Sequence, residues 1–167
     1  AKRAVELFIE KDHRVCTEII NELLNNNSER KEIQETILER AIFKIENEKL
    51  FENSVLVVAE EGFHHGVIGI VASKILDRYY KPTIIMEIKP EEGIATASCR
   101  SIEGFNMIEA LNSMKELFVK YGGHAGAAGF SIKIENIDEF SRRINEYAKK
   151  NIPESSLIKP VKLDITI

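Results

Sequence analysis

From Val15 to Ile45 the apolar residues fall three and four positions apart: Val15, Ile19, Ile20, Leu23 and Leu24, then Ile33, Ile37, Leu38, Ala41, Ile42 and Ile45. That spacing is the period of one face of an α-helix. A helix over 14–49 would be roughly 50 Å long at the usual rise per residue. Few small domains can bury such a rod along its whole length, so it is expected to serve as a connector. The polar run Asn25-Asn26-Asn27-Ser28 divides the stripe, which predicts two halves buried to different degrees. Before it, Asp12-His13-Arg14 reads as a helix cap, and Ala4 to Ile9 as the end of another helix whose partners lie upstream.

From Ser54 onward strands alternate with helices. Val55-Leu56-Val57-Val58 is a short continuous apolar run suited to a buried strand. A helical stripe follows at Val67, Ile68, Val71, Ala72, Ile75 and Leu76. Strands are expected over 83–88 and 94–100, separated by a turn at Lys89-Pro90-Glu91-Glu92-Gly93. Asn106 with Glu109 three positions on forms a capping-box signature for a helix running to about Lys120, with Gly122-Gly123 closing it. A fourth strand is expected over 130–134. Asn136 with Glu139 repeats the capping signature for a helix to about Lys150. Together these predict an α/β (α+β) fold, a mixed central sheet flanked by helices and preceded by the long connector helix. The expected division is 1–50 for the end of an upstream domain and the connector, 51–151 for the α/β domain, and 152–167 for a linker and one further strand. That strand is read from Val161, Leu163, Ile165 and Ile167, which alternate with polar residues.

At 44% apolar and 30% charged the chain is a globular protein and not a disordered one. No apolar run approaches the roughly 20 residues of a membrane span, and the opening Ala1-Lys2-Arg3 is no signal peptide. The expectation is a soluble, cytoplasmic protein that engages no membrane. Cys16 and Cys99 stand far apart in no paired spacing, so neither a disulfide framework nor a zinc site is indicated; both read as buried thiols. The net charge of −4 excludes gripping phosphates over a large basic surface. Any nucleic-acid contact must be local. Glu29, Glu32, Glu35, Glu39, Glu46 and Glu48 gather in the first fifty positions, whereas the segment from Thr96 to Lys133 is near neutral.

Three stretches could carry chemistry. In Tyr121-Gly122-Gly123-His124-Ala125-Gly126-Ala127-Ala128-Gly129, four glycines and three alanines surround one histidine. The bare backbone would let a phosphate chain approach while the imidazole reaches it; a Gly-rich helix stop followed by a closely packed strand fits the same residues. In the strand over 94–100, Thr96, Ser98 and Arg100 share one face and Ala95, Ala97 and Cys99 the other. A polar face ending in Arg offers a fork for phosphate oxygens, and it is equally what a solvated edge strand would show. The run Glu61-Gly62-Phe63-His64-His65-Gly66 opens into a helix whose free amides could meet a phosphate. Two adjacent histidines without a convergent carboxylate do not define a metal site, and no metal ligand is assigned.

In this order, Gly66-Val67-Ile68-Gly69-Ile70-Val71-Ala72-Ser73, Ser98-Cys99-Arg100-Ser101, and Gly122-Gly123-His124 with Ala127-Ala128-Gly129 resemble the associated C-terminal domain of the DHH phosphoesterase superfamily. The first and last of these runs resemble its RecJ branch. The resemblance extends over nearly the whole chain, including the long helix, which in that family joins the catalytic domain to this one. It implies a nuclease of DNA repair and recombination that degrades single-stranded DNA from its 5′ end. Two divalent cations, Mn2+ or Mg2+, would be held by Asp and His residues of an upstream DHH domain that this sequence does not contain, leaving this chain inactive alone. By motif, Arg100 and Ser98 would hold a backbone phosphate, and His124 would lie beside the scissile phosphate. Ser101, His64, Gly66, Gly122, Gly123, Ala127, Ala128 and Gly129 would complete the substrate-binding surface. Two departures are notable: Phe63 stands where many relatives place tryptophan, and Ala97 where glycine is common. The terminal strand from Val161 resembles the start of a truncated OB-type domain. Single-stranded DNA, the upstream domain and a single-strand-binding protein are the candidate partners. Two rivals remain, a small-substrate phosphodiesterase acting on oligoribonucleotides or cyclic dinucleotides, and a stand-alone nucleic-acid-binding module. The test of the leading reading is whether a guanidinium, a hydroxyl and an imidazole converge on one groove.

Overall fold

The structure, a computed structural model, describes residues 2–153 and 156. The expected strand at 161–167 and most of the expected linker lie outside those residues. Two helices come first, α1 (Lys2–Ile9) and α2 (His13–Asn47), the second capped by Asp12, whose side chain accepts from the Arg14 amide. There follow β1 (Leu56–Glu61), α3 (His65–Tyr79), β2 (Thr83–Lys89), β3 (Ile94–Arg100), α4 (Met107–Asn112), β4 (Phe118–Gly123), β5 (Ala127–Lys133) and α5 (Ile137–Asn151).

The α2 helix runs unbroken through Asn25 to Ser28, and its burial is uneven. Ile37, Ala41 and Ile45 are buried in its second half, but only Ile19 in the first. The second half packs on α3 and β1, while the first half meets α1.

The strands form one mixed sheet in the order β1-β2-β3-β5-β4. β1 and β2 are parallel and joined through α3, as a crossover between parallel strands requires; the remaining pairs are antiparallel. Each face has its own core. Ile84, Met86, Ala95, Ala97, Cys99, Phe130 and Ile132 pack with α4 and α5 on one side, around the Phe118, Phe130 and Phe140 rings. On the other side Leu56, Val58 and Ile85 pack with the apolar stripes of α3 and α2.

The free edge of β1 is closed by side chains. The Asn145 amide pairs with both backbone groups of Val55, at 2.8 and 3.3 Å. Lys44 donates to the Ala59 carbonyl at 3.1 Å and Arg40 to the Glu61 carbonyl at 3.0 Å. An open edge would otherwise present unpaired groups to another chain.

Three expectations are corrected. The helix begun at Asn106 ends at Asn112 rather than near Lys120, and Gly122-Gly123 are paired strand residues, not a helix stop. Asn106 caps as expected, accepting from the Glu109 amide. Beyond Asn112 the aromatic and β-branched run Phe118-Val119-Lys120-Tyr121 gains more from pairing with β5 than from continuing a helix. At α5, Asn136 makes no side-chain cap, because it is the last residue of a 3-10 turn and has helical φ/ψ where a capping residue is extended. Finally, Cys99 is fully buried, with its thiol pKa pushed up by that burial, but Cys16 is only half-buried.

Candidate nucleic-acid groove

Residues paired directly across a sheet share a face, so the register fixes which side chains lie together. One transverse row is Leu56, Thr83, Arg100 and Ala127. The next is Val58, Ile85, Ser98, Gly129 and Gly122, and the third is Glu60, Glu87, Thr96, Ser131 and Lys120. All three face α3. That helix covers β2 and β3 and leaves the β5–β4 half of the same face bare. A groove of about 490 Å3 occupies the bare half, lined by residues that include His65, Lys89, Thr96, Lys120, Gly122, Gly129 and Ser131.

Arg100 lies half-buried where β3 meets α3. Its Nε donates to Ser73 Oγ at 3.1 Å; its Nη1 donates to Ser98 Oγ at 3.2 Å and to the Cys99 carbonyl at 2.8 Å. Gly69 makes room for this cluster, since a methyl group there would lie 3.0 Å from Arg100 Nη2 and 3.1 Å from Ser98 Oγ. A guanidinium has five N–H donors. Three are used, and those on Nη2 have no acceptor among the described residues, nor has Arg100 an ion-pair partner there. A cation half out of water without a counter-charge carries an electrostatic cost that an anion would relieve.

His124 begins the three-residue tip between β4 and β5. Its amide donates to the Ala127 carbonyl at 2.8 Å, which extends the Arg100–Ala127 row by one position. Two strand spacings, roughly 10 Å, separate it from Arg100, and it bonds to neither Arg100 nor Ser98. The tip is fixed from outside: the Ser101 amide donates to the Gly126 carbonyl and the Met107 amide to the Ala125 carbonyl, at 2.9 and 3.0 Å. His124 Nδ1 accepts from the Gly126 amide at 3.3 Å. An imidazole accepting at Nδ1 carries its proton on Nε2, so its exposed end is a donor. Gly123 turns the chain here with φ of 148°, and a methyl group on it would meet Ala128 Cα at 2.4 Å. No other residue fits.

The remaining motif residues divide. Ser98 joins Arg100, and Gly122 and Gly129 floor the groove. Ala127 shares Arg100's row, whereas Ala128 points into the opposite core. Ser101 donates its hydroxyl to the Phe105 carbonyl at 2.7 Å. His64 caps α3, its Nδ1 accepting from the Gly66 amide at 3.1 Å, and it is the neighbouring His65 that lines the groove. Phe63 is buried beneath the Arg40 guanidinium, 5.4 Å from its ring centroid, and offers no surface to a base. His65 belongs to the His-His run at the start of α3, but Lys89, Lys120 and Ser131 carry no motif that singles them out in the sequence. Among the described residues no three His, Cys, Asp or Glu side chains cluster as a metal would require, so the divalent cations implied by the resemblance do not fit here.

A mixed five-stranded sheet with one half-open polar face, an Arg–Ser cluster at its edge and a Gly-His hairpin tip defines an α/β domain of a known kind. Residues 52–150 match the DHHA1 domain, and the chain belongs to that family. It is 36% identical over 165 residues to the single-stranded-DNA-specific exonuclease RecJ of Bacillus subtilis (strain 168), covering 99% of this chain and 21% of that protein. Against the exonuclease of the same name from Haemophilus influenzae the identity is 33%, over 92% of this chain and 28% of the relative. Among solved structures it resembles RecJ from Thermus thermophilus in complex with Mg2+, at 29% identity and a TM-score of 0.74, and in complex with Mn2+, at 30% and 0.76. Each superposition covers 89% of this chain, but 23% and 22% of the RecJ chains. The chain thus spans about a fifth to a quarter of the length of these relatives.

Proposed function

We propose that this chain is the substrate-gripping domain of a single-stranded-DNA-specific exonuclease of DNA repair and recombination, acting in the cytoplasm. Its partners are single-stranded DNA and a metal-holding DHH domain of the same polypeptide. Mn2+ or Mg2+ bound on that domain would activate water and neutralise the leaving oxygen. This chain's residues hold the strand. The observation that carries the reading is the unused Nη2 edge of Arg100, fixed by Ser73, Ser98 and the Cys99 carbonyl on the same sheet face as the groove, one row beyond its Gly122–Gly129 floor. A guanidinium set in place before the anion arrives needs little reorganisation on binding. In this reading His124, with its proton on Nε2, donates to a phosphate oxygen, and Gly122 and Gly129 let the sugar-phosphate chain lie against the sheet. The groove opens along β4, an exposed edge strand. An open-sided trough suits a polymer better than the enclosed cavity expected for a small phosphodiester.

Two measurements test this. The chain alone, mixed with labelled single-stranded oligonucleotide and Mn2+, is expected to bind weakly and cleave nothing; metal-dependent digestion would refute the division of labour. Arg100→Ala in the full-length enzyme is expected to lower kcat/KM roughly 100-fold, the scale of losing one preorganised charge donor. Activity unchanged within a factor of two would remove Arg100 from the phosphate grip.

A further inference from the structure

Three contacts fix the Arg100 guanidinium, and they come from two different elements. Nη1 is held within β3, by Ser98 Oγ at 3.2 Å and the Cys99 carbonyl at 2.8 Å. Nε is held from α3, by Ser73 Oγ at 3.1 Å. A planar guanidinium anchored at one nitrogen can still swing about that atom, whereas a second anchor sets the direction in which the third nitrogen points. The strand supplies only the first anchor, so the direction of Nη2 depends on the helix.

Ser73 is set to accept that bond. Its hydroxyl donates to the Gly69 carbonyl, one turn back in α3, at 3.1 Å, a local bond open to serine inside a helix. With its proton committed there, the oxygen has only lone pairs left to offer, and Arg100 Nε takes one of them. Among the described residues no other group accepts from Nε. The same turn leaves room for the guanidinium, because a Cβ on Gly69 would lie 3.0 Å from Nη2. Gly69 and Ser73 therefore form one half-buried cradle on the helix face that meets β3.

We infer that Ser73 is a positioning residue of the phosphate grip: acting through Arg100 and without touching the substrate, it aims the free Nη2 edge at a phosphodiester oxygen. The cradle also selects the cation. A lysine ammonium has one nitrogen, which the Ser73 and Ser98 oxygens would draw in, while arginine keeps one edge for those acceptors and another for the ligand. Charge at position 100 is not sufficient; α3 supplies its direction. This rests on the reading of Arg100 as a phosphate contact and adds the residue that orients it.

The experiment uses this chain with fluorescent dT12, affinity being measured by anisotropy, together with the 15N–1H spectrum of the arginine Nε–H groups. The Arg100 resonance is identified by its absence from the spectrum of Arg100→Lys. Ser73→Ala leaves every charge in place and is expected to weaken binding roughly three- to tenfold, within the range of coupling inside one hydrogen-bond network. It should also shift the Arg100 Nε–H resonance and leave Tm little changed. Arg100→Lys should weaken binding at least as much as Ser73→Ala does. If Ser73→Ala or Arg100→Lys binds like the parent while Arg100→Ala does not, the orienting role is refuted and the phosphate contact stands. Loss of affinity in Ser73→Ala with the Arg100 resonance unmoved refutes it too, since the effect then arises elsewhere in the fold. If the parent chain does not bind, or Arg100→Ala binds equally well, the phosphate contact itself falls and the positioning residue with it.

Discussion

A methyl group at Gly69 would crowd Arg100 Nη2 and Ser98 Oγ, whereas at Gly122 it would meet nothing within 4 Å. The two glycines are bare for different reasons. Gly69 gives space to protein atoms, so Gly69→Ala should displace the guanidinium while gaining helix propensity, a gain of up to about 1 kcal/mol. Gly122 gives space to whatever enters the groove. Gly122→Val is compatible with the strand, since valine suits a pleated surface, but it would stand on the groove floor. Both variants are expected to fold with Tm close to that of the parent and to lose oligonucleotide affinity by roughly tenfold, the scale of a misplaced phosphate contact. Retention of full affinity by Gly122→Val would mean that the strand does not lie against β4. Gly123→Ala is the contrasting control, because its backbone leaves no room for Cβ and the loss there falls on stability.

At the level of elements, β3 was legible from its residues alone: alternation placed Thr96, Ser98 and Arg100 on one face and the small apolar residues on the other, as their burial has it. The α2 and α3 helices declared themselves by period, and the resemblance of three separated motifs pointed to the family. β4 was not legible. The Asn106–Glu109 cap and the apolar spacing of Met107, Leu111 and Met114 describe a true helix start, and nothing local marks its end at Asn112. What ends it is pairing with β5, a contact made by later residues. Missing β4 concealed Lys120, because which face it takes depends on an irregular register between β4 and β5 that neither strand's sequence shows alone. The β1 edge was invisible for the same reason: Asn145 lies 90 residues from Val55. That bond is expected to matter. Asn145→Ala should lower unfolding stability by about 1–2 kcal/mol, as two partly buried backbone groups lose their partner, and should raise light scattering as the edge opens. A stability unchanged in urea unfolding would show the edge to be satisfied by water.

Across the whole molecule, ion pairs join layers on both sides of the sheet. Glu35 of α2 accepts from Lys74 of α3 at 2.7 Å, and Glu116, ahead of β4, accepts from Arg143 of α5 at 2.5 Å. Hydrogen bonding by these cations holds both carboxyls below the usual glutamate range. A depressed folded-state pKa means that the unfolded chain binds protons more readily, so stability rises with pH through that range. The contribution is complete above the ordinary glutamate value, near 4.3, and is lost as pH falls through the lower folded value. Tm is therefore expected to be flat near neutrality and to decline below about pH 5, most clearly at low ionic strength, where exposed pairs are least screened. The double variant Lys74→Gln with Arg143→Gln should have a slightly lower Tm at neutral pH and a shallower acid decline, the two curves converging as the carboxyls protonate. Parallel curves across the whole pH series would show that these pairs do not couple the layers, leaving the two apolar cores to hold α2, α3 and α5 against the sheet.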